Sequence, residues 1–328
     1  MPKIIDLLQQ RIDYSRWSGR LDVSGMGLTS LPPLPSTLTE LYCYNNKLTE
    51  LPILPDTLTK LNCNHNQLTC LPSLPNTLTD LSCDSNELTS LPNLPSTLTK
   101  LSCIYNKLTE LPALSSGLTE LYCKFNQLTW LPTLPSSLKN LSCLYNRLTS
   151  LPPLCSGLIE LDCGGNQLTS LPALPDKLTN LQCPYNKLVL LPVLPPSLIQ
   201  LYCIYNELTA LPKIPPMLTA LNCYKNQLKS LPKIPSSLII LNCSFNPYVA
   251  PFDDLINAYN IANSRQRLNR YYANIKKLSR DTLAFEQTLV RCTDGVLNDD
   301  TLNIIGSYLS GISGPLTAQI ATLRSMVT

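Results

Sequence analysis

From Leu31 to Ala250 the sequence repeats itself every 20 residues, eleven times, with no insertion or deletion. The first block reads LPPLPSTLTELYCYNNKLTE and the second LPILPDTLTKLNCNHNQLTC. A strict short period constrains a chain more than its composition does. One such block is too small to bury its own apolar face, so consecutive blocks must stack and share one elongated core. Written from Leu38, the unit is L-x-x-L-x-C-x-x-N-x-L-T-x-L-P-x-L-P. Leu38, Leu41, Cys43, Leu48, Leu51 and Leu54 are expected to point inward. A short strand around Leu41 to Cys43 should pair in parallel with its counterpart one block on. At about 4.8 Å per strand the sheet would run roughly 50 Å. The asparagine ladder Asn46, Asn66, Asn86 and so on to Asn246 should satisfy backbone groups where the chain turns inward. The L-P-x-L-P return fits extended or polyproline backbone, and a 20-residue unit leaves no room for a helix there. A degenerate turn, Leu21 to Leu28, precedes the array.

This unit is the leucine-rich-repeat pattern. Its L-P-x-L-P blocks resemble the repeats of the LPX-type effectors of Gram-negative pathogens, the YopM and IpaH type, with similar arrays in other intracellular bacteria and large DNA viruses. The resemblance covers residues 19–250. It implies an α/β-type solenoid, a horseshoe with a parallel sheet on the concave face and an extended convex side. It also implies a protein-binding role, that of a secreted or host-directed effector. The chain departs from the family by placing Cys where Val or Ile is usual, and by having no counterpart of the family's long catalytic C-terminal domain.

Eleven of the 14 cysteines, Cys43 to Cys243, fall every 20 residues. Metal binding needs clustered ligands, and disulfides need side chains that converge rather than project in parallel. The ladder therefore reads as small apolar core residues. Unpaired thiols in such number point to a reducing cytoplasm, of the producer or of a host cell after export. No apolar run is long enough to span a membrane, and the start lacks the uninterrupted apolar stretch of a Sec signal peptide.

A stacked array needs closed ends. Residues 1–18, with Ile4, Ile5, Leu8, Ile12 and Trp17 among polar residues, read as an N-terminal capping helix. Residues 251–328 lose the repeat and read as a small helical C-terminal domain, with Leu268, Tyr271, Tyr272, Ile275 and Leu278 at helical spacing. Ile239 and Ile240 in the last block are expected to receive that domain.

Counting columns from Leu38, the third (Glu40, Lys60, Asp80, Lys100, Glu120 and onward) mixes signs. With a net charge of +3 this argues against nucleic acid and against an acidic membrane surface as partner. The seventh and eighth columns bring Ile104, Tyr105, Phe125, Leu144, Tyr145, Tyr185, Ile204 and Tyr205 to the edge of the sheet, and the fifth adds Tyr122 and Tyr202. Two readings stand: a structural spine of half-buried rings packed on one another, or a protein hot spot of exposed aromatics beside aliphatics. Gly164 and Gly165 should interrupt the stripe with a bare rung.

No Gly-rich phosphate loop, serine triad or metal cluster is present, so neither a cofactor nor a small-molecule substrate is implied. Two further functional readings fall in the tail. Cys292 and Asp294 match the C-x-D motif of the ubiquitin ligases of the resembled family, in which Cys would accept ubiquitin as a thioester. Against this, only residues 293–328 follow it and the one histidine is the distant His65, so no ligase activity is expected. Arg265, Arg267, Arg270, Lys276, Lys277 and Arg280 form a basic run, read either as a solvated helix face or as an adaptor surface for lipid or nucleic acid.

Overall fold

The structure, a computed structural model, describes residues 2–247, and side chains from residue 6 onward. The side chains of Ile4 and Ile5, the C-terminal region 251–328, its basic run and the Cys292–Asp294 motif lie outside the described residues.

Helix α1 spans Pro2–Ser18. Proline suits a first helical position, where its missing N–H has no partner to lose. Leu8, Ile12 and Ser15, spaced four and three apart, share one face. Ile12 and Ser15 are buried, and the Ser15 hydroxyl donates to the Ile12 carbonyl at 2.7 Å. The helix stops at Gly19, whose φ of 68° is the left-handed conformation of a C-terminal cap. The Gly19 carbonyl then accepts from Thr39 N (2.7 Å) and Glu40 N (3.0 Å), tying the cap to the first full repeat. Trp17, expected on the packed face, is 92% exposed. It lies five residues beyond Ile12, about 140° around the helix, and faces solvent with Tyr14.

Twelve three-residue strands follow at 20-residue intervals, from β1 (Arg20–Asp22) and β2 (Glu40–Tyr42) through β3 (Lys60–Asn62) to β12 (Ile240–Asn242). They form one parallel sheet in sequence order, and every register is a shift of one block, such as Leu41 opposite Leu61. The cysteine stands just past the strand rather than in it. Pairing continues there all the same: Cys43 N donates to Asn62 O at 2.8 Å and Asn45 N to Asn64 O at 2.9 Å. The return segments contain no helix. Each turns through a bond such as Leu58 N to Pro55 O, 3.0 Å. The Thr57 hydroxyl donates to the carbonyls of Ser36 (2.9 Å) and Leu38 (2.7 Å), which stitches one return segment to the one before it.

The core is one column of side chains per consensus position. Leu38, Leu41, Cys43 and Leu48 are wholly buried, while Leu51 and Leu54 sit at its margin, 8% and 5% exposed. The asparagines tie neighbouring blocks together. Asn66 Nδ2 donates to Cys43 O and Cys63 O, both at 3.0 Å, and Asn66 Oδ1 accepts from Leu48 N at 3.0 Å. Asn46 does the same for the degenerate turn through Val23 O and Leu28 N, so that turn is a true member of the stack. The cysteines Cys43 to Cys203 are free buried thiols. Burial pushes Cys43 up to about 12 and raises its neighbours likewise. Among the described residues no helix is long and apolar enough to cross a membrane.

Candidate functional site

The edge stripe is built by a backbone requirement. For the asparagine to turn inward after the strand, the preceding residue must adopt a left-handed conformation. Its φ lies between 51° and 59° at Asn45, His65, Ser85, Tyr105, Phe125, Tyr145, Tyr185, Tyr205, Lys225 and Phe245. A bulky L-residue there costs roughly 1–2 kcal/mol. The rings thrown outward at strand spacing fall onto one another. Tyr105 and Phe125 stack with centroids 4.1 Å apart and planes 5° from parallel; Phe125 and Tyr145 stack at 4.8 Å and 27°. Tyr185 and Tyr205 stack at 4.6 Å and 17°. Offset stacking of this kind contributes about 0.5–1.5 kcal/mol per pair, which offsets much of the backbone cost. Tyr105, Tyr145 and Tyr185 nevertheless remain 53%, 45% and 44% exposed. The rings are thus both a packed spine and a surface.

Ile104, Leu144 and Ile204 lie half-buried beside the rings. The expected bare rung is not bare. A methyl group on Gly164 would stand 2.7 Å from Pro184 and 2.8 Å from Leu144, and one on Gly165 would stand 2.4 Å from the Tyr145 ring. The neighbours close over the glycines because nothing there resists them. The ring stack does break at this rung, between Tyr145 and Tyr185. Tyr122 and Tyr202 stand apart from the stack, half-buried on the sheet face, with Lys100 Nζ 5.8 Å from the centre of the Tyr122 ring. The stripe also runs further than its sequence reading. Tyr224 and Phe245 extend it through tilted contacts of 5.6 Å to Tyr205 and 5.0 Å to one another, and Lys225 Nζ lies 4.6 Å from the Tyr205 ring centre. The signal was there, since both occupy the same seventh and eighth columns.

On the sheet face the first five charges of the third column alternate in sign. Lys60 pairs with Glu40 at 3.4 Å and Lys100 with Glu120 at 2.8 Å; the hydrogen bond to Glu120 raises the Lys100 pKa. From Asn140 the pattern changes. A shallow depression of about 110 Å³ opens across β7 (Asn140–Ser142), β8 (Glu160–Asp162) and β9 (Asn180–Gln182). Within it the Ser142 hydroxyl donates to Asp162 Oδ2 at 3.0 Å, and Lys124 Nζ lies 3.5 Å from the same oxygen. The ladder thiols offer no nucleophile, because burial keeps them protonated. Chemically the surface is equipped to hold a partner.

Three solved structures are similar to this chain. YopM from Yersinia enterocolitica is 38% identical over 67% of this chain, with a TM-score of 0.67; the match covers 49% of YopM, so this chain spans about half its length. A leucine-rich-repeat protein of Leptospira interrogans is 25% identical over 72% of this chain and 75% of its own, TM-score 0.53. The functional domain of InlJ from Listeria monocytogenes, which includes a cysteine ladder, is 26% identical over 70% of this chain and 63% of its own, TM-score 0.53. No family model and no curated protein matches the chain.

Proposed function

Because the chain belongs to the leucine-rich-repeat proteins, with repeats similar to those of the YopM type, we propose that it is a non-catalytic scaffold that captures a protein partner through the sheet face and its aromatic edge. The observation that carries this reading is the exposure of the stacked rings. Tyr105, Tyr145 and Tyr185 keep about half their surface in solvent while packing fixes their orientation. Rigid, half-exposed aromatics beside aliphatics such as Leu144 and Ile204 are what protein interfaces use as anchors. Their faces are occupied by one another, which leaves edges and hydroxyls for a partner and disfavours stacking of nucleic-acid bases. The site comprises Ile104, Tyr105, Phe125, Leu144, Tyr145, Tyr185, Ile204 and Tyr205, flanked by Tyr122 and Tyr202. The free buried thiols fit work in a reducing cytoplasm, consistent with a host-directed effector.

The test is the double substitution Tyr145→Ala and Tyr185→Ala in the full chain. Capture of partners from host-cell cytosol should fall at least tenfold with the far-UV spectrum unchanged; undiminished capture moves the site elsewhere. Incubation with ubiquitin and its activating and conjugating enzymes should yield no ubiquitin chains. Chains that disappear on Cys292→Ala would make the protein an enzyme.

A further inference from the structure

Three features meet on the same rungs. The first is the break in the ring stack: Tyr145 ends one run and Tyr185 begins the next, with Gly165 between them. The second is the depression across β7, β8 and β9. It exists because Ser142 is short where Tyr122 and Gln182 stand as walls, and its floor is the apolar pair Leu141 and Leu161. The third is an imbalance of charge. Upstream, Glu40 and Glu120 are each matched by a lysine, and inside the depression Asp162 is matched by Lys124. Glu160 is not: its side chain is exposed, and no described lysine or arginine pairs with it. One rung on, Asn180 Oδ1 is buried without a hydrogen-bond donor. The depression therefore presents one uncompensated carboxylate, an amide oxygen lacking a donor, and an apolar floor.

We propose that this depression receives a single basic side chain, arginine or lysine, of the protein partner, next to apolar partner residues seated on Leu144, Tyr145 and Tyr185. This rests on the protein-binding reading above and specifies its partner. The fit is one of charge and shape. A charged donor to a carboxylate makes hydrogen bonds about twice as strong as neutral ones. The aliphatic stem of lysine or arginine lies well on Leu141 and Leu161 while its head reaches Glu160. An arginine fork has donors enough for Glu160 and, after a turn of the Asn180 amide, for Oδ1 as well. An acidic side chain would meet Glu160 and the acceptors of the wall with nothing to offer them. The distance from the third to the eighth column is five residues of extended chain, at most about 17 Å, so one short partner segment can span depression and stripe together.

The test uses the full-length protein and a random linear twelve-residue peptide library displayed on phage. Recovered peptides should carry one lysine or arginine at a fixed offset from an apolar pair. Synthetic copies measured by fluorescence anisotropy should bind at least tenfold more weakly to Glu160→Gln. Replacing the basic residue by norleucine should cost the same factor on the unaltered protein and almost nothing on Glu160→Gln. Glu160 is exposed, so that substitution leaves the fold intact. Peptides that need Tyr145 and Tyr185 but lack a basic residue, or ignore Glu160→Gln, overturn this proposal and leave the protein-binding reading standing. Recovery of no peptide, or of peptides indifferent to both sites, overturns both.

Discussion

One asparagine per block holds two blocks together, and its removal should be felt accordingly. Asn146 donates to Cys123 O and Cys143 O at 3.0 Å each and accepts from Leu128 N at 3.0 Å. Asn146→Ala strands three buried backbone groups, each costing about 1–3 kcal/mol. We expect a loss of about 3 kcal/mol or more by urea denaturation. Gln127→Ala, on the exposed side of the same turn, should stay within about 0.5 kcal/mol. A cost similar for both would mean the amide ladder is not what ties the stack. The ladder was legible in the sequence because a polar residue held at a fixed place in an apolar block has few tasks but this one. The ring stack was legible only as a column of aromatics. That Tyr105, Phe125 and Tyr145 tolerate a left-handed backbone, and that Tyr145 leans over Gly165, depends on backbone angles that residue types do not encode.

Among the elements, the return segments show how a block survives the loss of its consensus. In most blocks a Thr or Ser two residues after the second proline bonds back to the preceding turn, as Thr97 does to Asn76 O at 2.8 Å. Where Gly117 and Gly157 replace it, the second proline is also gone, and its replacement takes over the bond: Ser115 Oγ donates to Ser96 O at 2.8 Å and Cys155 Sγ to Leu138 O at 3.2 Å. The donor has moved two residues upstream. Restoring the consensus with Ser115→Pro and Gly117→Thr together should raise stability by about 1 kcal/mol, since Pro and a β-carbon both restrict the unfolded chain. There is room for it: a methyl group on Gly117 would stand 3.7 Å from Ser96 O, an ordinary contact. Calorimetry settles the point, and a lower melting temperature would show that the two blocks have repacked around their exceptions. Strand positions and extended returns followed from the period alone. The face of α1 did not, because a lone helix offers no repeat to average over, and Trp17 was assigned inward on apolarity where helical angle decides.

For the whole molecule, the thiol ladder sets an alkaline limit. Nine cysteines, Cys43 to Cys203, have folded pKa values raised above their ordinary 9.0. Below pH 9 both states hold these protons and the shift costs nothing. Above it the unfolded chain releases them while the fold retains them, so stability falls as pH rises. At about 1.4 kcal/mol per thiol for one pH unit, nine thiols amount to about 12 kcal/mol, comparable to a typical total stability of about 5–15 kcal/mol. Cooperative loss of the far-UV signal is expected between about pH 9 and 10.5. The triple change Cys103→Val, Cys123→Val, Cys143→Val should move the midpoint up by about half a pH unit, and an unmoved midpoint assigns the transition to tyrosines or lysines instead. Titration of the denatured, unreduced chain should find nearly all 14 thiols reactive. The identical register of every strand carries a further hazard. A block that loops out lets its neighbours stack in the wrong order with almost the same core, a near-degenerate alternative to the native arrangement. The alternating column Glu40, Lys60, Asp80, Lys100, Glu120 removes that degeneracy. Skipping the block of Lys60 sets Glu40 against Asp80, and skipping that of Asp80 sets Lys60 against Lys100, so each misordering meets like charges face to face. The acids and bases on the sheet therefore work as addresses, telling otherwise interchangeable blocks which neighbour is theirs.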